Sequence, residues 1–398
     1  MTRRNSQLAK GWGREDAAWR RPAQITSQWR EASALDPRLL EFKVHGNWWN
    51  LLQQLGITLL ITREYEHLVV GLSVQNGRPH VTFFPVPHPS GLVVDRRSHG
   101  LFLASTRNPN QIFVLKPAMP ALQRSGAKGK VAPAAPFVPL SSTYYPGSLY
   151  IHDLALIDDV LHGNAVGHNS IVRFDDAGKF HNVWWPKCVE RNGDPALDKN
   201  YIQLNSIAGG KSVRDSFYSA SSASIGRLRP GHLRYPVDRQ GVIFSGRTRQ
   251  PICQGLTRPH SARLHNGKIW VANSGYGEVG FVQDGFLEVV HRFPGWTRGL
   301  CLTGDYAFVA TSRVIPRFAR YAPGLNFDQS RCGVQALSLK TGRPVASLEW
   351  PYGNQVFAID WIDSSISAGF LFEKGHRRSR QEIAFFYRYF FNNTSGAQ

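Results

Sequence analysis

From residue 57 to residue 363 the apolar positions come in short runs broken by Asp, Asn, Gly and Pro, and helical periodicity is almost absent. Such runs, bounded by turn residues, read as β-strands. One arrangement recurs six times: a polar or His-bearing lead-in, a brief apolar strand, a turn, then a second apolar strand. The plainest copy starts at Pro259-His260-Ser261-Ala262 and passes through Asn266-Gly267 to Lys268-Ile269-Trp270-Val271. Two more runs follow, Val279–Val282 and Phe286–Val290, joined by Asp284-Gly285. Asp-Gly between two apolar runs signals a hairpin.

Aligning the lead-ins on Ser90, His152, Asn205, Ser261, Arg298 and Phe357 places the units 37 to 62 residues apart, the longer ones carrying insertions. Four antiparallel strands in a unit of about 40 residues is the signature of a β-propeller blade. Residues 57–86 supply three strands without a lead-in, and residues 356–362 supply a lead-in strand without clear followers. The economical solution joins them in one mixed blade that closes the ring and removes a free sheet edge. The expected fold is therefore all-β: a six-bladed β-propeller over 57–363, closed by N-terminal strands. A short, partly helical extension over 1–56 precedes it, and a basic, aromatic tail over 364–398 follows. The alternative is a seventh blade built from residues 364–391.

Composition narrows the class. A hydrophobic share of 42% in 398 residues excludes a mainly disordered chain. No long uncharged apolar run is present to span a membrane, and the N-terminus lacks the apolar core of a secretory signal, so a cytoplasmic location is expected. The four cysteines form no CxxC pair, which leaves a structural zinc finger unsupported. Lys and Arg number 47 against 28 Asp and Glu, a formal charge of +19. That excess lies mainly in the ends and in insertions such as 226–240 and 313–331, not in the repeated unit. A small anionic molecule or an acidic partner is the expected ligand, and nucleic acid is not the expected one.

In a propeller the lead-ins crowd one mouth of the central channel. They bring together His88, Ser90, His152, Asp153, Gln203, Asn205, His260, Ser261, Thr297 and Arg298. Three readings stay open. In one, His88, His152 and His260 hold a divalent metal ion, since imidazoles suit such ions. In another, His152 or His260 is a general base and Arg298 steadies negative charge, with His88, Asp153, Gln203, Asn205 and Ser261 binding the ligand. In the third, these groups only satisfy one another and ordered water. The chemistry compatible with the first two is that of a lyase or hydrolase acting on an anion. A non-catalytic scaffold whose basic loops bind an acidic partner is the competing class.

The segments HPSGLVVD (88–95), IHDLALID (151–158), LNSIA (204–208), RPHSARLHNGKIWVANSGYGEVG (258–280) and FPGWTRGLCLTGDYAFVATS (293–312) resemble an uncharacterised bacterial family, a conserved domain of unknown function. The resemblance covers about residues 57–362 and implies a six-bladed propeller with no established activity. The chain departs from it at Gln203, where the family pattern implies a His before Leu-Asn. Its basic insertions and aromatic tail are further departures.

Overall fold

The computed structural model describes residues 21–106, 110–118, 135–145 and 147–374; the tail from 375 lies outside the described residues. Six antiparallel sheets surround one channel. Blade 1 combines the inner strand Ala358–Asp363 with Ile57–Arg63, Leu68–Gln75 and Arg78–Pro85. The inner strands of blades 2 to 6 are Pro89–Asp95, Ile151–Ile157, Leu204–Ala208, Pro259–His265 and Trp296–Thr303. Each inner strand packs against the next, and that of blade 6 packs against that of blade 1, so the ring is closed. In the closing blade Ile57 pairs with Asp363 and Thr62 with Ala358, as the mixed-blade reading requires.

The ring stops at six. Residues 364–374 do not start a seventh blade: Gly369–Phe370 runs parallel to Pro136–Tyr145 of blade 2, and Phe372–Glu373 lies antiparallel beside Arg78–Pro85 of blade 1. From the other end of the chain, Lys43–Gly46 adds an outer strand to blade 6. These short pieces cover strand edges that would otherwise offer unpaired backbone groups. Among its described residues the extension also holds two helices, Pro22–Ser33 and Trp48–Leu55.

Turn chemistry sets the registers. Asn76-Gly77, Asn266-Gly267 and Asp284-Gly285 all have positive φ, as does Asp158-Asp159. Two successive residues in that region make the tight hairpin turn whose twist matches the flanking strands. Period-two alternation then divides a single apolar run between two cores. On one face of blade 1, Leu59, Ile61, Val70 and Leu72 pack with Phe308 and Val334 of blade 6. On the other face, Leu60 and Val69 pack with Leu92, Leu101 and Leu103 of blade 2. Both faces are buried, which is why Ile57–Arg63 is buried at every position. Each such side chain contributes roughly 1.5–3 kcal/mol.

Neighbouring inner strands approach closely at Gly91. A Cβ there would lie 2.6 Å from Asp153 Cα and 2.8 Å from Leu154 N, backbone atoms of the neighbouring inner strand. Gly91→Ala is therefore expected to destabilise the fold by about 1–3 kcal/mol, because strand backbone cannot yield as a side chain can. Urea unfolding of the variant measures it; an unchanged midpoint would refute the tight approach.

Candidate functional site at the channel mouth

The inner strands of blades 2 to 6 each carry a register shift near their start. A bulge re-aims side chains that a regular strand would send to alternate faces. Immediately before four of these strands, His88, Tyr150, Gln203 and Arg258 occupy one equivalent position, and all four have φ between 43° and 54°. Left-handed backbone costs a non-glycine residue on the order of 1–3 kcal/mol. Paying it at the same place in four successive blades points these side chains at a common mouth. Strand pairing also corrects the sequence alignment. Ser90, His152 and Asn205 correspond to His260 and Thr297, not to Ser261 and Arg298.

His152 and His260 meet across the mouth with ring centroids 5.9 Å apart, and each packs edge-on against Phe357. Arg298 lies over the Phe357 ring at 3.4 Å and donates from Nε to His260 Nε2 at 3.2 Å. That bond places the imidazole proton on Nδ1, 3.1 Å from Ser261 Oγ, which in turn accepts from the Gly299 N–H. Gln355, in the amide orientation that satisfies both neighbours, accepts from Arg298 Nη1 and donates to the Glu64 carboxylate. Arg258 donates to Gln203 Oε1 at 2.5 Å and lies over the Tyr321 ring at 4.2 Å. Ser221 Oγ accepts from Arg258 at 3.4 Å and from Asn205 Nδ2 at 3.0 Å.

The electrostatics are unusual for so enclosed a place. Arg258 and Arg298 are each 7% exposed. Burial draws Arg258 down to about 10, with the charge of Arg298 pushing the same way. Burial also lowers Arg298, against the pull of Glu64. Burial, then Arg298 and His152, hold His260 well below its ordinary range, so it is neutral at pH 7. Asn205 Oδ1 and Trp296 Nε1 are buried without a hydrogen-bond partner among the described residues. Two basic insertions meet on this face: Tyr235 and Val237 pack with Trp296, Val314, Phe318 and Tyr321, and Arg320 donates to the Gly231 carbonyl at 3.3 Å.

Not every expected residue joins the cluster. Asp153 turns away between blades, where its carboxylate accepts from Arg263 (2.7 and 3.1 Å) and from the Ile207 N–H. His88 is drawn to His67 of blade 1: the rings lie 4.2 Å apart, and the His88 N–H donates to His67 Nδ1. His88, His152 and His260 are not a group whose ligand atoms converge. Among the described residues such a group is Glu31, His67 and His88, with ligand atoms within 4.8 Å of one another. There, His67 Nδ1 is already an acceptor, so in the neutral ring the proton sits on Nε2, facing Glu31 at 3.6 Å. In that tautomer His67 has no lone pair left for a metal. The four cysteines are free thiols. Burial raises all four, Cys188 to about 12 and Cys253 to about 11, so none is a thiolate nucleophile.

Sequence reasoning passed over Tyr150, Arg258, Ser221, Gln355 and Glu64. The signal for the first two was in reach: each stands one residue ahead of the first strand residue, in Tyr150-Ile151-His152 and Arg258-Pro259-His260, as His88 does in His88-Pro89-Ser90.

The chain belongs to the family described as a domain of unknown function, DUF4915, which matches residues 46–371. No curated protein matches it significantly. Among solved structures, a chain of a nidogen/laminin complex is similar with a TM-score of 0.51 at 9% identity, over 77% of this chain and 98% of that one. A putative 6-phosphogluconolactonase from Bacteroides uniformis has a TM-score of 0.43 at 12% identity, over 77% of this chain and 99% of that one. Virginiamycin B lyase from Staphylococcus aureus has 0.39 at 12%, over 78% and 99%. At 9% identity the likeness to the nidogen/laminin chain is one of fold alone. Among the described residues no helix is long and apolar enough to cross a membrane.

Proposed function

We propose that this member of the family binds a small anionic molecule at the channel mouth and transfers a proton on it, as a lyase or hydrolase does. The observation that carries the reading is the pair Arg258 and Arg298. Both guanidinium groups are buried; the Glu64 carboxylate acts on Arg298 and reaches it through Gln355, while Arg258 donates to the neutral Gln203 and Ser221. Like charges taken out of water are costly unless an anion completes the set. A carboxylate or phosphate between them does so. The orphan acceptor Asn205 Oδ1 favours a ligand that also carries a hydroxyl or amine.

His152 is the acid–base group in this reading, because His260 Nε2 is already engaged by Arg298. Arg258 and Arg298 hold the charge that develops on the substrate. The insertions over the mouth exclude water and, being basic, attract anions.

Thermal-shift and calorimetric titration with inorganic phosphate and small hydroxycarboxylates tests the binding. Arg258→Met is expected to weaken it by about tenfold to a hundredfold, the worth of a charged hydrogen bond. The same variant is expected to unfold no earlier than wild type without ligand, because a buried unpaired charge has gone. For a hit that turns over, His152→Gln keeps binding and loses turnover. Affinity unaffected by Arg258→Met and Arg298→Gln would refute the reading.

A further inference from the structure

The channel has a second end. A cavity of ≈440 Å³ opens there, lined by all six inner strands at their far halves. That lies within the range of about 300–1,000 Å³ in which small-molecule sites fall. Its walls include Val93, Leu156, Leu302, Ile359 and Trp361. At the rim, Arg96 pairs with Asp360 at 2.6 Å and lies over the Trp361 ring at 4.2 Å, while Arg97 pairs with Asp159. These rim charges cancel in pairs.

Deeper in the cavity one cation differs. Arg263 meets Asp153 end-on, Nη1 to Oδ2 at 2.7 Å and Nη2 to Oδ1 at 3.1 Å, and Nη1 also donates to the carbonyls of Ile207 and Ala262. The side edge, made of Nε–H and the second hydrogen of Nη2, meets no acceptor among the described residues. Arg263 lines the cavity, and its side chain keeps 20% exposure. Asp153, 2% exposed, fixes the guanidinium plane from behind. The result is a preorganised fork with two parallel N–H donors, the geometry that takes a carboxylate side-on.

We propose that this end of the channel is a separate binding site for a monocarboxylate with an apolar, ring-sized body, the carboxylate on the side edge of Arg263 and the body against Leu156, Leu302 and Trp361. The site is independent of the anion site at the mouth. Arg263 is the cation held in a fixed plane, whereas Arg96 and Arg97 are paired with Asp360 and Asp159 at the rim, so a single carboxylate is matched. The apolar wall gives nothing to a polyhydroxylated body and suits an apolar one.

The test uses 3-phenylpropionate with the full chain. It is expected to bind saturably, change tryptophan fluorescence and raise the melting temperature. The uncharged 3-phenylpropanamide is expected to bind roughly tenfold to a hundredfold more weakly. Leu264 lines the rim and is 39% exposed, so Leu264→Trp fills the cavity without disturbing a core and is expected to abolish binding. Arg263→Lys keeps the charge beside Asp153 but loses the planar fork, and is expected to weaken the acid while leaving the amide unchanged. No saturable binding at millimolar acid, full binding in Leu264→Trp, or equal affinity for acid and amide would each overturn the proposal. So would loss of 3-phenylpropionate binding in Arg298→Gln, which would move the acid to the mouth. Phosphate binding that survives Leu264→Trp shows that the two ends are being read separately.

Discussion

Asp153→Ala is expected to destabilise the protein by about 3 kcal/mol, the largest single-residue effect anticipated here. Asp153 takes two bonds from Arg263 and one from the Ile207 N–H, tying blades 3, 4 and 5 at the channel wall. Removing one partner of a buried pair strands the other, which costs about 3–5 kcal/mol. The lower end applies because Arg263 keeps one edge toward the cavity and its water. The double change Asp153→Ala/Arg263→Met is expected to recover much of the loss, since no buried charge is then left alone. Equilibrium urea unfolding of the single and double variants measures both. A double variant as unstable as the single one would show that the Ile207 bond, not the ion pair, carries the effect.

Acid is expected to remove about 3 kcal/mol of stability as pH falls from about 6.5 toward 4. His168, 1% exposed, is lowered by burial to about 4 from an ordinary 6.5. The unfolded chain therefore takes up a proton near pH 6.5 that the folded chain refuses. The contribution is complete above about pH 6.5 and is lost as pH falls toward 4, at about 1.4 kcal/mol per unit. His260 is lowered for the same first reason and acts in the same direction. Lowered carboxyl groups such as Asp95 and Asp363 titrate below 3.8, outside this window. Unfolding free energies at pH 7 and near pH 4.5 should differ accordingly, and His168→Phe should flatten the difference. An equal slope in that variant would place the acid sensitivity elsewhere.

Much of the architecture was legible in one dimension because it rests on local chemistry. Asn266-Gly267 and Asp284-Gly285 prefer positive φ wherever they stand, and they set hairpin registers with no help from afar. The closing pair of Ala358–Asp363 with Ile57–Arg63 was legible for a different reason: a lead-in strand and a blade lacking one leave a single economical match. The slip at Ser261 and Arg298 shows the limit. The hydrophobic pattern does not mark where the first ladder pair falls, so pattern alone placed the lead-ins of blades 5 and 6 one residue late.

For the candidate site, composition and position along the chain named His152, His260 and Arg298 but not their company. The repeat by itself determined a six-unit ring whose lead-ins face one mouth, because each blade must bury both faces against its neighbours. Only the tertiary structure decided which polar groups meet. His88 left the expected trio for His67, Asp153 left the mouth for Arg263, and Arg258 joined Arg298 in burial. Those outcomes depend on bulges and left-handed turns that aim side chains across the ring, and on desolvation, which acts only once the blades have closed.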